Sequence, residues 1–176
     1  MKQNFFLTGN PGFGKTTVLK RIIKEIGKDN CVGFYTEEIQ EDNERIGFKI
    51  YDTDGNQGIL ASIYLDRDVK IGRYGVDMEV FEKICIPIIK NVDENKVIII
   101  DEIGPMQMLS NEFKDLLCYT MMKENVILGT IFYKDYPWID EFKSRFSLNL
   151  ILLDCNNREN IHTEIANEIK NQISFK

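Results

Sequence analysis

The strongest motif of the chain is Gly9-Asn10-Pro11-Gly12-Phe13-Gly14-Lys15-Thr16, close to the N-terminus. It matches the pattern GxxxxGK(S/T), in which backbone N–H groups surround phosphate oxygens. Its glycines let the chain take positive φ angles and turn those N–H groups inward without an obstructing Cβ. Lys15 then reaches the β- and γ-phosphates as a point charge, and the Thr16 hydroxyl becomes one ligand of Mg²⁺. We predict that residues 9–16, followed by Thr17, bind the phosphates of a nucleotide.

The residues on either side of this loop predict a strand before it and a helix after it. Asn4 to Thr8 form a short apolar run, and apolar residues then recur at helical spacing from Thr17 to Ile26. A helix that opens near Lys15 adds the partial positive charge of its N-terminus to the phosphate site. A glycine-rich turn without function is the alternative, but it does not explain both flanking elements.

The rest of the chain alternates β-rich runs with segments of helical period, which favours a parallel sheet flanked by helices. Further strands are predicted at Cys31 to Thr36, Val97 to Ile100, Val126 to Thr130 and Leu148 to Leu153. Further helices are predicted from Asp77, after the capping residue Ser110, at Ile139 to Phe146 and around Ile161 to Ile173. Pro87 is expected to kink or end the first of these helices. Two runs separated by a polar turn, Gly47 to Tyr51 and Ile59 to Leu65, predict a β-hairpin insert.

Length, composition and charge limit the class of protein. The 176 residues have the usual size of one domain, so a single domain over residues 1–176 is expected. The hydrophobic fraction of 43% and the charged fraction of 28% exclude a mainly disordered chain. Because 22 basic and 28 acidic side chains give a net charge of -6, without a basic cluster, the charge argues against a nucleic-acid partner.

Neither a membrane segment nor a secretory signal is predicted. The longest apolar runs are far shorter than the roughly 20 residues that a membrane helix requires. Behind Met1-Lys2, only Phe5 to Leu7 are apolar before Thr8. We therefore expect no membrane contact and a cytoplasmic location; the oligomeric state is left open, with a monomer favoured.

The cysteines and the histidine do not predict a zinc site. No two cysteines form a CxxC pair, and we expect all of them to be reduced thiols of the core: Cys31, Cys85, Cys118 and Cys155. His162 has no cysteine at metal-ligand spacing, so a structural role is predicted for it.

Two carboxylates follow the most hydrophobic predicted strand. Val97 to Ile100 is a continuous apolar run, typical of a strand buried on both faces, and Asp101 and Glu102 come next. An aspartate in this place holds Mg²⁺ in phosphate-loop sites, although many strands simply end in Asp at a turn. Glu102 is expected to point elsewhere, because strand residues alternate faces, and to polarise a water at the γ-phosphate. We predict Thr16 and Asp101 as metal ligands and Glu102 as the water-activating residue.

Three further features are candidates for contacts with the nucleotide. Thr130 ends a predicted strand and could hydrogen-bond the attacking water or the γ-phosphate, or be a satisfied strand-end threonine. Arg73 lies in a glycine-bounded loop and is the best candidate for a positive charge on the transferred phosphoryl group; the alternative is a solvent-exposed arginine. An aromatic cluster could stack on a base or serve in packing: Tyr133, Tyr136 and Trp138.

Six segments occur in the order of a known family: Gly9 to Thr17 (GNPGFGKTT), Gly33 to Glu38 (GFYTEE), Gly47 to Ile50 (GFKI), Gly72 to Val76 (GRYGV), Ile98 to Gly104 (IIIDEIG) and Leu128 to Ile131 (LGTI). Together they resemble the small nucleoside-triphosphatases typified by cancer-related nucleoside-triphosphatase and its thermophile relatives, over nearly the whole chain. The resemblance implies an α/β fold, a P-loop NTPase three-layer αβα sandwich with a mainly parallel sheet and a β-hairpin insert. It also implies hydrolysis of ATP, GTP and other nucleoside triphosphates with broad base tolerance. By this resemblance the roles argued above fall to Lys15, Thr16, Asp101 and Glu102.

One segment departs from the family pattern. After the segment IIIDEIG the family usually continues Lys-Met-Glu-Leu, whereas this chain continues Pro105-Met106-Gln107-Met108. A charge of each sign is therefore missing beside the predicted site. Rate and substrate preference are the properties that this replacement affects.

The sequence leaves three functions open. The first is Mg²⁺-dependent hydrolysis, with Glu102 orienting water for in-line attack on the γ-phosphate. The second is a small-molecule or nucleotide kinase, for which Arg145 is the only arginine between Val126 and Phe146 that could serve a basic lid. The third is a slow nucleotide-dependent switch that uses Gly47 to Leu65 as a partner surface.

Overall fold

A computed structural model describes residues 2–173, which form one continuous nine-stranded sheet with helices on both faces. The strands are β1 (Phe5–Thr8), β2 (Cys31–Glu41), β3 (Glu44–Asp52), β4 (Gln57–Ser62), β5 (Lys70–Ile71), β6 (Tyr74–Val76), β7 (Val97–Ile103), β8 (Ile127–Ile131) and β9 (Asn149–Leu152). The helices are α1 (Lys15–Ile26), α2 (Met78–Lys90), α3 (Asn111–Met121), α4 (Pro137–Arg145) and α5 (Ile161–Gln172). Within residues 2–173, no helix combines the length and the apolar character needed to cross a membrane.

The strand order is β5-β6-β4-β3-β2-β7-β8-β1-β9, and the strands from β2 to β9 in this order are parallel. β8 therefore lies between β1, which leads into the loop, and β7, which carries Asp101. β7 and β8 are buried almost without interruption, as the continuous hydrophobic runs in their sequence predict. α1 and α5 pack on one face of these strands, and α2, α3 and α4 pack on the other, so the predicted three-layer α/β sandwich is confirmed.

The strands β3, β4, β5 and β6 are antiparallel and extend the sheet beyond β2; we call them the antiparallel extension. β2 continues past its pairing with β7 and turns at Asp42 and Asn43, whose φ angles of 48° and 64° suit a tight hairpin turn. The predicted hairpin is confirmed as β3 and β4. The loop predicted around Arg73 is the turn of a second hairpin, β5 and β6, so the insert is longer than the sequence predicts.

The first helix after the antiparallel extension, α2, starts where predicted and ends later. Asp77 caps it, because the Val80 N–H donates to Asp77 Oδ1 at 3.1 Å. Of the two outcomes predicted for Pro87, a kink or an end of the helix, the end is wrong, since α2 continues to Lys90. Pro87 removes one backbone hydrogen bond close to the end of a helix whose buried face continues on both sides, so packing outweighs the loss.

The cysteines divide by burial. All four are free thiols; Cys31 and Cys85 are buried, Cys118 is partly buried and Cys155 is exposed. The prediction of a core thiol is therefore wrong for Cys155. Burial raises the pKa of the Cys31 thiol to about 12, which keeps it protonated and unreactive at neutral pH.

Candidate active site

The loop between β1 and α1 has the backbone that its glycines predict. Gly12 and Gly14 both have φ of 83°, which favours glycine because an L side chain is strained there. Gly14 is the N-cap of α1, and the Val18 N–H donates to its carbonyl oxygen at 2.9 Å. The helix N-terminus and the loop N–H groups therefore meet around Lys15, at the place where an anion would bind.

The Lys15 side chain folds over the loop that precedes it. Its Nζ donates to the carbonyl oxygen of Gly9 at 2.9 Å and to that of Asn10 at 3.4 Å. Phosphate oxygens placed inside the loop would be in competition with these two carbonyl groups for the same ammonium group. The lysine thus lies where its charge faces the centre of the loop.

Asp101 contacts Thr16, the other predicted metal ligand. Its Oδ2 accepts a hydrogen bond from the Thr16 hydroxyl at 2.8 Å, although 84 other residues separate them along the chain. Its Oδ1 accepts from the Thr130 hydroxyl, and the residue is only 3% exposed. Burial raises the pKa of Asp101, while the hydroxyl groups of Thr130 and Thr16 and the charge of Lys15 oppose that shift.

The pair of Thr16 and Asp101 fits the chemistry of Mg²⁺. This ion takes oxygen ligands and uses one or two protein groups together with substrate phosphates and water. A hydroxyl oxygen and a carboxylate oxygen 2.8 Å apart supply such a pair. A cation here would also compensate the charge of a carboxylate that is almost completely buried.

Glu102 lies beside Asp101 in the same strand. β7 continues through both residues to Ile103, and both side chains line one cavity rather than opposite faces of the sheet. The peptide bond between them is cis. Burial, together with the neighbouring charge of Asp101, raises the pKa of Glu102 to about 7, and the charge of Lys15 acts in the opposite direction.

Thr130 is held by Asp101 and does not line the cavity. It is fully buried on β8, between the loop strand and β7, which is the neighbourhood that the sequence predicts. Its hydroxyl is satisfied by the carboxylate, as in the alternative of a strand-end threonine. In this position Thr130 orients Asp101 through its hydroxyl group.

Arg73 also lies outside the cavity. Its guanidinium donates to the Arg45 carbonyl oxygen and lies 3.8 Å from a Glu44 carboxylate oxygen. The arginine that lines the cavity is Arg45, on β3, and nothing in the sequence marks it for that place. Which of the two side chains faces inward depends on the pairing of β3 with β2 and β4, a property that the local pattern does not contain.

A cavity of about 670 Å³ brings the loop, β7 and the antiparallel extension together. Tyr133, one of the aromatic candidates, lines it, whereas the partly buried Trp138 stacks on the core residue Phe142 with the ring centroids 5.5 Å apart. Several apolar or aromatic residues absent from our sequence-based candidates also line it: Phe48, Leu60, Ile71, Tyr74 and Phe132. The aromatic cluster is therefore divided between the cavity and packing.

The residues that depart from the family pattern face this cavity. Pro105 and Gln107 both line it, and Gln107 begins a short 3-10 turn at Gln107–Leu109. Gln107 is 3% exposed, and its side chain lines the cavity. Its amide can therefore reach a group inside the cavity.

Comparison with known proteins identifies the family. A family model described as NTPase matches residues 4–166. The chain belongs to the NTPase family. Nucleoside-triphosphatase THEP1 of Thermotoga sp. strain RQ2 is 36% identical over 165 residues, which cover 93% of this chain and 94% of that protein. Human cancer-related nucleoside-triphosphatase is 32% identical, with 94% of this chain and 96% of that protein covered.

Solved structures of the family agree with the fold. The crystal structure of THEP1 from the hyperthermophile Aquifex aeolicus is similar with a TM-score of 0.86 and 36% identity, covering 96% of this chain and 99% of that one. The solution structure of the human cancer-related nucleoside triphosphatase has a TM-score of 0.83 and 30% identity, covering 99% and 100%. The family and the fold predicted from the sequence are thereby confirmed.

Proposed function

We propose that the protein hydrolyses nucleoside 5'-triphosphates, among them ATP and GTP, to the diphosphate and phosphate in a Mg²⁺-dependent reaction. The observation that carries this proposal is the placement of Lys15, the pair Thr16 and Asp101, and Glu102 around one cavity. Its membership of a family whose members are named nucleoside-triphosphatases supports the same reaction.

The protein's own groups divide the work of binding. The N–H groups of the loop and the N-terminus of α1 hold the phosphates, and Lys15 exchanges its bonds to the Gly9 and Asn10 carbonyl groups for phosphate oxygens. Thr16 and Asp101 would hold the metal ion, and Thr130 fixes the orientation of the carboxylate through its hydrogen bond. Mg²⁺, when bound there, neutralises charge on the β- and γ-phosphates.

Glu102 acts on the attacking water. It lies next to Asp101 and lines the cavity, so its carboxylate can accept a hydrogen bond from a water in front of the γ-phosphate. As that water attacks phosphorus, its proton passes to the carboxylate, and the bond from phosphorus to the bridging oxygen breaks with release of the diphosphate. A general base of this kind accelerates a reaction roughly 10² to 10⁴-fold.

The experiment is phosphate release from ATP, GTP, CTP and UTP, each with Mg²⁺ or with EDTA. We expect release from all four in the presence of Mg²⁺ and loss of release in EDTA. Lys15→Ala should abolish release, because the ammonium group acts on the phosphates themselves, whereas Lys24→Ala on the same helix is the matched control.

The outcomes separate the parts of the proposal. Release that persists in EDTA contradicts the metal requirement, and release from a single nucleotide contradicts the base tolerance. Wild-type protein that releases no phosphate from any of the four contradicts the hydrolase itself.

A further inference from the structure

The cavity is larger than the part that the phosphate site uses. One end is formed by the loop, the middle by Asp101 and Glu102, and the other end by the antiparallel extension. We call this other end the outer compartment and define its wall as Phe48, Leu60, Ile71 and Tyr74, with Gln107 beside them. Its wall consists of side chains from four strands, and the hydrolysis of a triphosphate gives these side chains no role.

The strand order indicates which end of a nucleotide faces the outer compartment. β7 lies two strands away from β1, and the antiparallel extension lies on the far side of β7. A Mg²⁺ held by Thr16 and Asp101 would act on the β- and γ-phosphates, so we place the γ-phosphate on the β7 side of the loop. The nucleoside therefore leaves the loop in the opposite direction, and the outer compartment faces the γ-phosphate. This step rests on the proposed function.

The wall of the outer compartment is apolar and partly aromatic. Phe48 and Tyr74 meet edge to face with their ring centroids 5.4 Å apart. The Leu60 side chain is 1% exposed, and the Ile71 side chain is partly exposed. Apolar pockets of this kind bind the body of a small molecule by excluding water from it.

The charge of the outer compartment is balanced. Arg45 is the arginine of this end, and its Nη1 donates to Glu38 Oε1 at 2.7 Å while its Nε donates to the Tyr74 hydroxyl at 3.2 Å. Its guanidinium also lies 5.1 Å from the centre of the Phe48 ring. Because the positive charge is already paired, the compartment favours an uncharged molecule over a second phosphate compound.

Gln107 supplies the polar group that an uncharged molecule would need. The residue is 3% exposed and lines the cavity, so its amide can reach a group inside it. A Cβ built on Gly104 would lie 2.7 Å from Glu102 Oε1 and 3.1 Å from Gln107 Oε1, so the carboxylate and the amide flank the same glycine. A hydroxyl group held at Gln107 would therefore be close to Glu102.

We propose that the outer compartment binds an uncharged alcohol with an aromatic or aliphatic body, and that the protein transfers the γ-phosphoryl group to its hydroxyl as well as to water. The alcohol oxygen forms the new bond to the γ-phosphorus, and the bond from that phosphorus to the bridging oxygen breaks. The nucleoside diphosphate leaves with the electron pair of the broken bond, and the hydroxyl proton passes to the Glu102 carboxylate. The products are a phosphate monoester and the nucleoside diphosphate.

The experiment follows ATP labelled in its γ-phosphate, with Mg²⁺ and wild-type protein, in the presence of benzyl alcohol. We expect label in benzyl phosphate as well as in inorganic phosphate, with a yield that saturates as benzyl alcohol increases. Methanol at the same concentrations, which cannot fill the apolar compartment, should give a smaller yield without saturation. The ratio of benzyl phosphate to inorganic phosphate is the measured quantity, since the inorganic phosphate in the same tube reports folded protein.

Two variants test the wall. Ile71→Trp fills the compartment and should lower the ratio about tenfold or more. Phe48→Ala removes part of the wall and should lower the same ratio, which keeps the test decisive if the larger side chain disturbs folding. Val69→Trp, on an exposed position two residues from Ile71 and outside the cavity, is the matched control and should keep the wild-type ratio.

The remaining results overturn the proposal. Label in inorganic phosphate alone, or in benzyl phosphate without saturation, means that no alcohol binds there, while the proposed hydrolysis stands. Transfer to AMP in preference to benzyl alcohol contradicts the uncharged substrate. If Ile71→Trp raises the KM for ATP and leaves the ratio unchanged, the compartment holds the nucleoside. No label released to any acceptor contradicts the proposed function and this proposal together.

Discussion

The five parallel strands and the antiparallel extension bury their residues in different ways. In β7 every residue from Val97 to Asp101 is buried, because helices cover both faces of the parallel strands. In the antiparallel extension, α2 covers only one face of β3 and β4. Leu60 lies on the covered face, whereas Ile59 lies on the opposite face and is 47% exposed. Helices therefore cover both faces of the parallel strands but only one face of the antiparallel extension.

This difference separates the two ends of the cavity by chemical type. The parallel strands bring charged and hydroxyl groups to their carboxyl ends, where Asp101 is held from two sides by Thr16 and Thr130. The antiparallel extension brings mainly apolar side chains and one paired arginine. We expect changes in the first region to affect hydrolysis of every nucleotide, and changes in the second to affect stability and the second substrate.

The largest effect is expected at the parallel end, from Glu102→Gln. Phosphate release should fall about a thousandfold because the amide cannot accept the proton of the attacking water, while nucleotide affinity remains. The measurement is phosphate release beside a binding titration with a fluorescent ATP analogue. Glu141→Gln, on the exposed side of α4, is the control, and unchanged release in Glu102→Gln removes this residue from the mechanism.

The next effect tests whether the two regions unfold together, as one domain over residues 1–176 requires. Phe81 on α2 packs edge to face against Phe34 at 5.6 Å and Phe113 at 5.1 Å, which joins the two regions. Phe81→Ala should lower the free energy of unfolding by about 4 kcal/mol, and Phe81→Leu by about 1 kcal/mol.

The two probes for this unfolding report on different parts. Trp138, the single tryptophan, lies on α4, which packs on the parallel strands, so its fluorescence reports the unfolding of that region. Far-ultraviolet circular dichroism reports the unfolding of all helices. In urea both signals should shift to the same lower midpoint. A tryptophan midpoint that stays at the wild-type value while the dichroism shifts means that the regions are separate units.

A smaller effect is expected from Thr130→Val, which removes the hydroxyl donor of Asp101 and keeps the shape of the side chain. The apparent affinity for Mg²⁺ should fall about tenfold, as is usual when a partner of a metal ligand is removed. A Mg²⁺ titration of phosphate release measures it. Thr120→Val is the matched control, because Thr120 is equally buried but donates to the Leu116 carbonyl, far from the metal ligands.

The smallest effect is expected where the antiparallel extension meets α2. Asp77→Ala removes the N-cap and should cost about 1 kcal/mol of the free energy of unfolding. Burial would raise the pKa of Asp77, but the Val80 N–H and the Arg67 guanidinium outweigh it and hold the pKa below its usual range.

The stability that Asp77 contributes is expected to depend on pH in one direction. A carboxylate with a lowered pKa contributes its stability above the pKa of the unfolded chain, about 4, and loses it as the pH falls through the folded value. The difference between wild type and Asp77→Ala should therefore be constant above about pH 4 and shrink below it. Denaturation at neutral and acid pH measures the difference, and one that grows on acidification contradicts the assignment.

The features predicted from the sequence are those that short segments carry. The loop, α1 and the buried strand before Asp101 follow from glycine spacing and from hydrophobic period, because burial on both faces leaves a continuous apolar run. Pro87 shows the limit of such patterns, since the helix continues where a local rule ends it. Arg73 shows it again, because the cavity is reached by Arg45 instead.

The sequence by itself determined the phosphate loop, the order of strands and helices other than β5 and β6, and the family, because each depends on residues that are neighbours along the chain. Only the tertiary structure decided that β8 lies between the loop strand and β7, which brings Thr130 and Thr16 to one carboxylate. The tertiary structure also placed the antiparallel extension beside β2, where its side chains form the apolar end of the cavity. The physical reason is that strand pairing joins segments far apart in sequence, and hydrophobic period records how much a strand is buried but not which strand lies beside it.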